Sequence, residues 1–290
     1  MGHLLGVFLI VVSAVSFSAM PIFACLAYDA GANPVTVLFL RFTIASIIMA
    51  IVMAVQRIPI PRGRTLVTLI LMGAIGYVSL SFTYFSALTM APVGLVVILL
   101  YLYPSFVTLQ AALFLNIPIT KIKITALLLS FAGIVLVVGL DFGGAQTLGI
   151  VLGVASAVLF SIYMIVASKV ISKTDSFSAS TIVIIAAAVV FGIIVAVKGV
   201  KFPTTFNGWI SVFAISLIST ALGFVTLFAG LKRIDPANAS MIFTLEPVVS
   251  VVLAVIVLGE AMGPVKIFGG MMILVAATLV ARSDAKLVKK

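Results

Sequence analysis

The residues able to do chemistry are few in this chain of 290 residues, and two of them lie where charge is costly. Glu246-Pro247 stands inside DPANASMIFTLEPVVSVVLAVIVLGEAMGP, an apolar stretch from Asp235 to Pro264 of membrane-spanning length. A carboxylate at mid-bilayer costs roughly 2.5–3.5 kcal/mol on insertion scales, so it is seldom left without a partner or a task. Pro247 has no N–H to donate and clashes with the preceding turn, so the carbonyl of Phe243 is expected to lose its helical partner. In lipid such a carbonyl has to be satisfied by protein or by a wetted cavity. Arg41 is the one cation inside an apolar run. Three readings of Arg41 and Glu246 stay open. They form a buried structural pair, they bind the two ends of a zwitterion in a shared cavity, or Glu246 gains and loses a proton in a working cycle.

Helical spacing shows which other polar side chains share a face with one another. Tyr77, Ser81 and Tyr84 stand at i, i+4 and i+7, and Ser156, Phe160 and Tyr163 align in the same way, as do Ser13, Phe17 and Met20. Tyr103 and Gln110 share a face, with Pro104 freeing the carbonyl of Leu100. Tyr101 points about 200° away from Tyr103 in a regular helix, so both line one cavity only if the helix turns at Pro104. Asn238 and Glu246 complete the set. The predicted substrate-contacting residues are therefore Tyr77, Ser81, Tyr84, Tyr101, Tyr103, Phe160, Tyr163, Asn238 and Glu246, with Pro104 and Pro247 as helix kinks. They describe a pocket with aromatic walls and hydroxyl donors, suited to a small amphipathic or zwitterionic solute. Each also has a plainer reading. Tyrosines near span ends, Tyr28 and Tyr84, fit headgroup anchors. Phe17 and Phe160 fit a packed core, and isolated serines fit helix-packing glue.

The elements that must position these residues follow from composition. The chain is 64% hydrophobic and 8% charged, with a mean hydropathy of +1.42. Soluble domains carry about 25% charged residues, so this is an all-α integral membrane protein. The formal net charge of +10 does not point to nucleic acid, because the basic residues fall in short clusters between apolar runs. The single cysteine, Cys25, excludes a disulfide within the chain, and the single histidine, His3, excludes a histidine metal cluster. No cofactor is called for. The first apolar run lacks a cationic leader and reads as a retained span. Windows of about 20 residues give ten spans, near 4–27, 34–56, 65–86, 92–115, 122–140, 147–170, 176–198, 208–231, 236–258 and 264–281. With the N-terminus inside, 13 of the 17 basic residues lie in cytoplasmic segments, which predicts a multi-pass protein of the cytoplasmic membrane with both termini cytoplasmic.

Displaced by 143 residues, the chain matches itself without gaps. Gly6, Ser13-Ala14-Val15 and Phe17-Ser18 fall on Gly149, Ser156-Ala157-Val158 and Phe160-Ser161, Pro104 falls on Pro247, and Lys123 on Lys266. Residues 1–143 and 144–290 are thus two five-span units, and an odd number of spans sets them in opposite orientations. Inverted repeats of this kind build carriers with alternating access and a site near the midplane. Gly149-x-x-x-Gly153 is expected to pack a helix pair within the monomer.

The five-plus-five arrangement, the motif Asn238-Ala239-Ser240, Leu245-Glu246-Pro247-Val248 and Leu258-Gly259-Glu260, and Arg41-Phe42 resemble the EamA-type branch of the drug/metabolite transporter superfamily. The resemblance covers essentially the whole chain and implies export of amino acids or other small metabolites. Tyr101-Leu102-Tyr103-Pro104 is similar to the Tyr-x-aromatic-Pro segment of aromatic and neutral amino-acid exporters, with Tyr103 where that branch tends to have Trp. A carrier of drugs or quaternary amines is the alternative within this class. Outside it stand a membrane-embedded enzyme, for which no paired-Asp, His-pair or Gly-x-Ser-x-Gly motif is present, a structural membrane protein, and a channel, for which no ring of like charges appears. The partners expected are a small-molecule substrate and the lipid bilayer, and the sequence leaves monomer and homodimer open.

Overall fold

The computed structural model describes residues 2–88, 90–139, 143–258 and 263–287, and every regular element among them is a helix. Asp141, Gly259 (expected to close the ninth span), Glu260, Lys289 and Lys290 lie outside the described residues. Ten helical runs are long and apolar enough to cross a membrane: Gly2–Asp29, Pro34–Val55, Gly63–Tyr84, Leu95–Leu115, Lys121–Val138, Thr147–Ile171, Ser176–Lys198, Phe206–Leu231, Pro236–Val257 and Pro264–Ala281. We number them spans 1 to 10. Several begin on a side-chain cap that satisfies a first-turn N–H. Asn33 accepts from Thr36 N at 2.8 Å, Asp175 from Ser178 N at 3.0 Å, and Asp235 from Asn238 N at 2.9 Å. Pro34 and Pro236 follow their caps directly, where a missing N–H costs nothing.

Span 9 is not one kinked helix, as the sequence led us to expect, but two helices, Pro236–Phe243 and Glu246–Leu258. Span 4 is likewise split into Val93–Leu100 and Tyr103–Leu115. The two breaks fall at repeat-related positions, 101–102 and 244–245. At each, the tighter turn preceding the proline is held by a short-range bond, Leu102 N to Leu99 O at 3.2 Å and Leu245 N to Ile242 O at 3.1 Å. A second irregularity is also duplicated. Span 3 contains a π-helical turn over Met72–Tyr77 and span 8 one over Ile215–Leu222, again at matching positions. Such turns cluster at functional sites because an extra residue re-aims the side chains that follow.

Packing follows a pseudo-twofold pattern. Span 1 packs on span 8 as span 6 packs on span 3, and span 9 packs on span 1 as span 4 packs on span 6. Across the axis, span 2 lies against span 7, and span 5 against span 10. The last pair is the most extensive and rests on small residues. A Cβ on Gly133 would stand 2.6 Å from the carbonyl oxygen of Gly269, and one on Gly269 would stand 2.6 Å from that of Gly133. Ala126 and Ala276 are fully buried on the same two helices. Gly149 and Gly153 pack within the monomer, against Met90 and Leu99.

Candidate functional site

Between the repeats lies a cavity of about 670 Å³, within the size range of small-molecule sites. Its deep end is aromatic. Phe17, Tyr77, Tyr103, Phe160, Tyr163, Phe224 and Phe243 all line it, with ring centroids 4.5 Å apart for Tyr103–Phe160, 5.3 Å for Tyr77–Phe224 and 5.6 Å for Phe17–Phe243. Its lining continues to Cys25, Tyr28, Val138 and Lys266, residues near the span ends opposite the N-terminus. The cavity therefore reaches the face opposite the termini.

Two charged groups from different repeats line the deep part of this chamber. Arg41, 2% exposed, donates from Nη2 to the Tyr77 hydroxyl at 2.8 Å and from Nη1 to the Met20 sulfur, with its guanidinium 4.5 Å from the Phe42 ring centroid. Its Nε has no partner. Glu246 begins the second helix of span 9, next to the break, and is hydrogen-bonded by Tyr101. Arg41 and Glu246 share the cavity without forming an ion pair with each other. The split in span 4 also answers the geometric condition on its tyrosines: Tyr101 and Tyr103 both line the cavity, with centroids 6.1 Å apart. Tyr103 donates its hydroxyl to Ser240 O at 3.1 Å, across the repeat boundary. Tyr163 is 3% exposed and its hydroxyl has no partner.

Tyr77, Ser81, Tyr84, Tyr101, Tyr103, Phe160, Tyr163 and Glu246 are brought together here. Asn238 is not. It is 1% exposed in the first turn of span 9, where its Nδ2 donates to Asp235 Oδ2 at 2.6 Å. Most of the first helix of span 9 and the break at 244–245 separate it from Glu246. Gln110 points to span 6, donating to Ser161 Oγ at 2.8 Å, and takes no part in the cavity. Phe17 is a cavity wall rather than buried core only, and Tyr28 and Tyr84 line the chamber. The sequence reading missed Cys25, Phe224, Phe243, Ser250 and Lys266 as lining residues. A signal for some of them was present. Lining residues come in repeat-related pairs: Phe17 with Phe160, Met20 with Tyr163, Ser81 with Phe224, Leu100 with Phe243, and Tyr103 with Glu246.

At the face that bears the termini the chamber is shut. Lys123, 4% exposed, lies 3.5 Å from Asp235, and Lys232 Nζ donates to Thr174 O at 2.8 Å. Gly6 also packs on Arg233 and Ile234 here, a Cβ on it standing 2.8 Å from each, but its repeat mate Gly149 packs on Met90 at the other face in the same way, so the shutting rests on the lysine contacts.

The EamA-like transporter family model matches residues 4–139 and 147–282. This chain belongs to the EamA-like transporter family. It is a multi-pass membrane carrier of small molecules, built by internal duplication, and not an enzyme. Similar proteins include an uncharacterized transporter of Clostridium kluyveri, 24% identical over 97% of this chain and 94% of its own length. Another is a probable terminal-alkyne amino-acid exporter of Streptantibioticus cattleyicolor, 26% identical over 83% of this chain and 82% of its own. A solved crystal structure superposes with a TM-score of 0.81 at 20% identity, over 97% of this chain and 98% of that one, a likeness of fold.

Proposed function

We propose that this EamA-family carrier exports neutral and aromatic amino acids across the cytoplasmic membrane by alternating access, with both termini in the cytoplasm. One observation carries the reading: a buried cation and a buried carboxyl from different repeats line one aromatic chamber without pairing with each other. Arg41 takes the substrate carboxylate, helped by the Tyr163 hydroxyl. Glu246, positioned by Tyr101, takes the ammonium, and the rings of Tyr103, Phe160, Phe224 and Phe243 hold the side chain. A guanidinium suits a carboxylate because its planar fork matches two oxygens. The basic-residue bias of the loops supports the orientation, and under it the structure is open to the outside. The amino-acid exporter among its relatives supports the substrate class. A second reading, export of quaternary amines, is favoured by the aromatic walls beside Glu246, since such cations are held by ring faces. Counterflow in proteoliposomes separates the two. Radiolabelled phenylalanine or leucine is expected to exchange saturably, and sugars, nucleosides and tetraalkylammonium ions are not. Saturable exchange of the quaternary amine alone would reverse the assignment.

A further inference from the structure

Lys123 and Lys266 occupy equivalent places in the two repeats, one at each face. Lys123 is buried at its face, whereas Lys266 is only part-buried at the mouth of the cavity, and one contact of Lys123 has no counterpart. The docking of Gly6 on Arg233 at the closed face has its counterpart at the open face, where Gly149 lies against Met90, 2.9 Å from a built Cβ. The ion pair does not. Asp235, which partners Lys123, corresponds to Pro92 in the first repeat. Lys266 lines the cavity and has no ion-pair partner among the described residues.

In an inverted repeat the closed face is a template for how the open face closes. Closing it buries Lys266 as Lys123 is buried now, and a buried ammonium without a counter-ion is strongly disfavoured. Among the described residues, Glu246 is the sole carboxylate lining the cavity, against two cations, Arg41 and Lys266. We propose that the solute itself supplies the missing counter-ion: the open face closes only around a molecule whose carboxylate, or equivalent oxyanion, is shared between Arg41 and Lys266. This rests on reading the cavity as the transport site and narrows its substrates to oxyanion-bearing solutes. It also makes Lys266 a gate that reads its load, so that solute moves by exchange rather than by return of an empty carrier.

Cys25, the single cysteine of the chain, lines the open mouth and is exposed, so its alkylation by a membrane-impermeant maleimide reports closure of that face. The full chain in sealed vesicles is labelled from the face opposite the termini. Without any solute, Lys266→Met removes the charge that resists burial and Pro92→Asp supplies a counter-ion. Pro92 is the cap of the first helix of span 4, a position where Asp is favourable. Each is expected to slow labelling of Cys25 by about threefold or more, as a population shifts to the closed form. In the unmodified chain, phenylalanine and 3-phenylpropanoate are expected to protect Cys25, and phenethylamine, which lacks the carboxylate, is not. Unchanged labelling in both variants, or equal protection by phenethylamine, would overturn the proposal. If both variants slow labelling while phenylalanine neither protects nor exchanges, the gate stands and the amino-acid assignment falls.

Discussion

Spans 4 and 9 are the same device used for two purposes. Both break two residues ahead of a proline, at positions 101–102 and 244–245, and both turn the residue just before that proline into the cavity wall. In span 4 that residue is Tyr103, 1% exposed, whose hydroxyl is consumed by Ser240 O across the repeat boundary. In span 9 it is Glu246, whose carboxyl is held from one side by Tyr101. Duplication supplied the geometry twice. Divergence then left a hydroxyl bonded across the repeat boundary in one copy and a carboxyl facing the chamber in the other. The proline explains why a costly carboxyl is tolerable there, because the broken helix opens onto a chamber that carries Arg41 and tyrosine hydroxyls rather than onto lipid.

The sharpest way to break this contrast is to neutralise its carboxyl. Glu246→Gln keeps the shape and loses the charge. Losing a charge-assisted contact of about 1.5–3 kcal/mol lowers amino-acid counterflow by roughly 10- to 100-fold. A pH dependence that persists in that variant, measured in reconstituted vesicles, would show that another group carries the proton. Next in size is Arg41→Lys, which keeps the charge and loses the fork that reaches Tyr77 and Met20 together. It is expected to weaken substrate binding by about tenfold, read as a raised half-saturation concentration with little change in maximal rate.

At the closed face, Asp235→Asn preserves the cap on Asn238 N while removing the charge opposite Lys123. Asp235→Asn and Lys123→Met should each open that face by a few fold, and the double variant should match the singles, because both remove one interaction. Additive effects on accessibility of a cysteine placed near Asn238 would mean the pair is incidental. The smallest effect belongs to the bonded hydroxyl. Tyr103→Phe should lower thermal stability in detergent by about 1 kcal/mol and leave exchange nearly intact. Loss of exchange there would make the two spans functional equals.

How far the sequence leads can be judged residue by residue. The ten spans emerge within a few residues because a strongly apolar run has one reading in a membrane. The repeat emerges because Pro104 and Pro247 keep step with the Ser-Ala-Val-x-Phe-Ser blocks. The breaks emerge only in part. A proline marks where a helix loses a bond, but whether it bends or parts is decided by neighbours, here by the chamber that accepts Tyr101 and Glu246. The π-turns at Met72–Tyr77 and Ile215–Leu222 carry no composition signal at all. Asn238 stands apart because it is spent in the first turn of span 9 on Asp235, well away from Glu246 along the chain. Lys266 was visible as the counterpart of Lys123, and Phe224 as the counterpart of Ser81. Applying the repeat to the candidate site, and not only to the scaffold, would have placed Phe224 in the cavity; Lys266 could not be found that way, because Lys123 lies outside it.

The glycine contact between spans 5 and 10 has a mechanical outcome. With Gly133 and Gly269 touching backbone to backbone, and Ala126 and Ala276 closing the rest, the two helices have no room to slide and tilt as one beam. Lys123 sits on one end of that beam and Lys266 on the other. A carrier that exchanged its open face by tilting this pair would raise one lysine as it lowered the other.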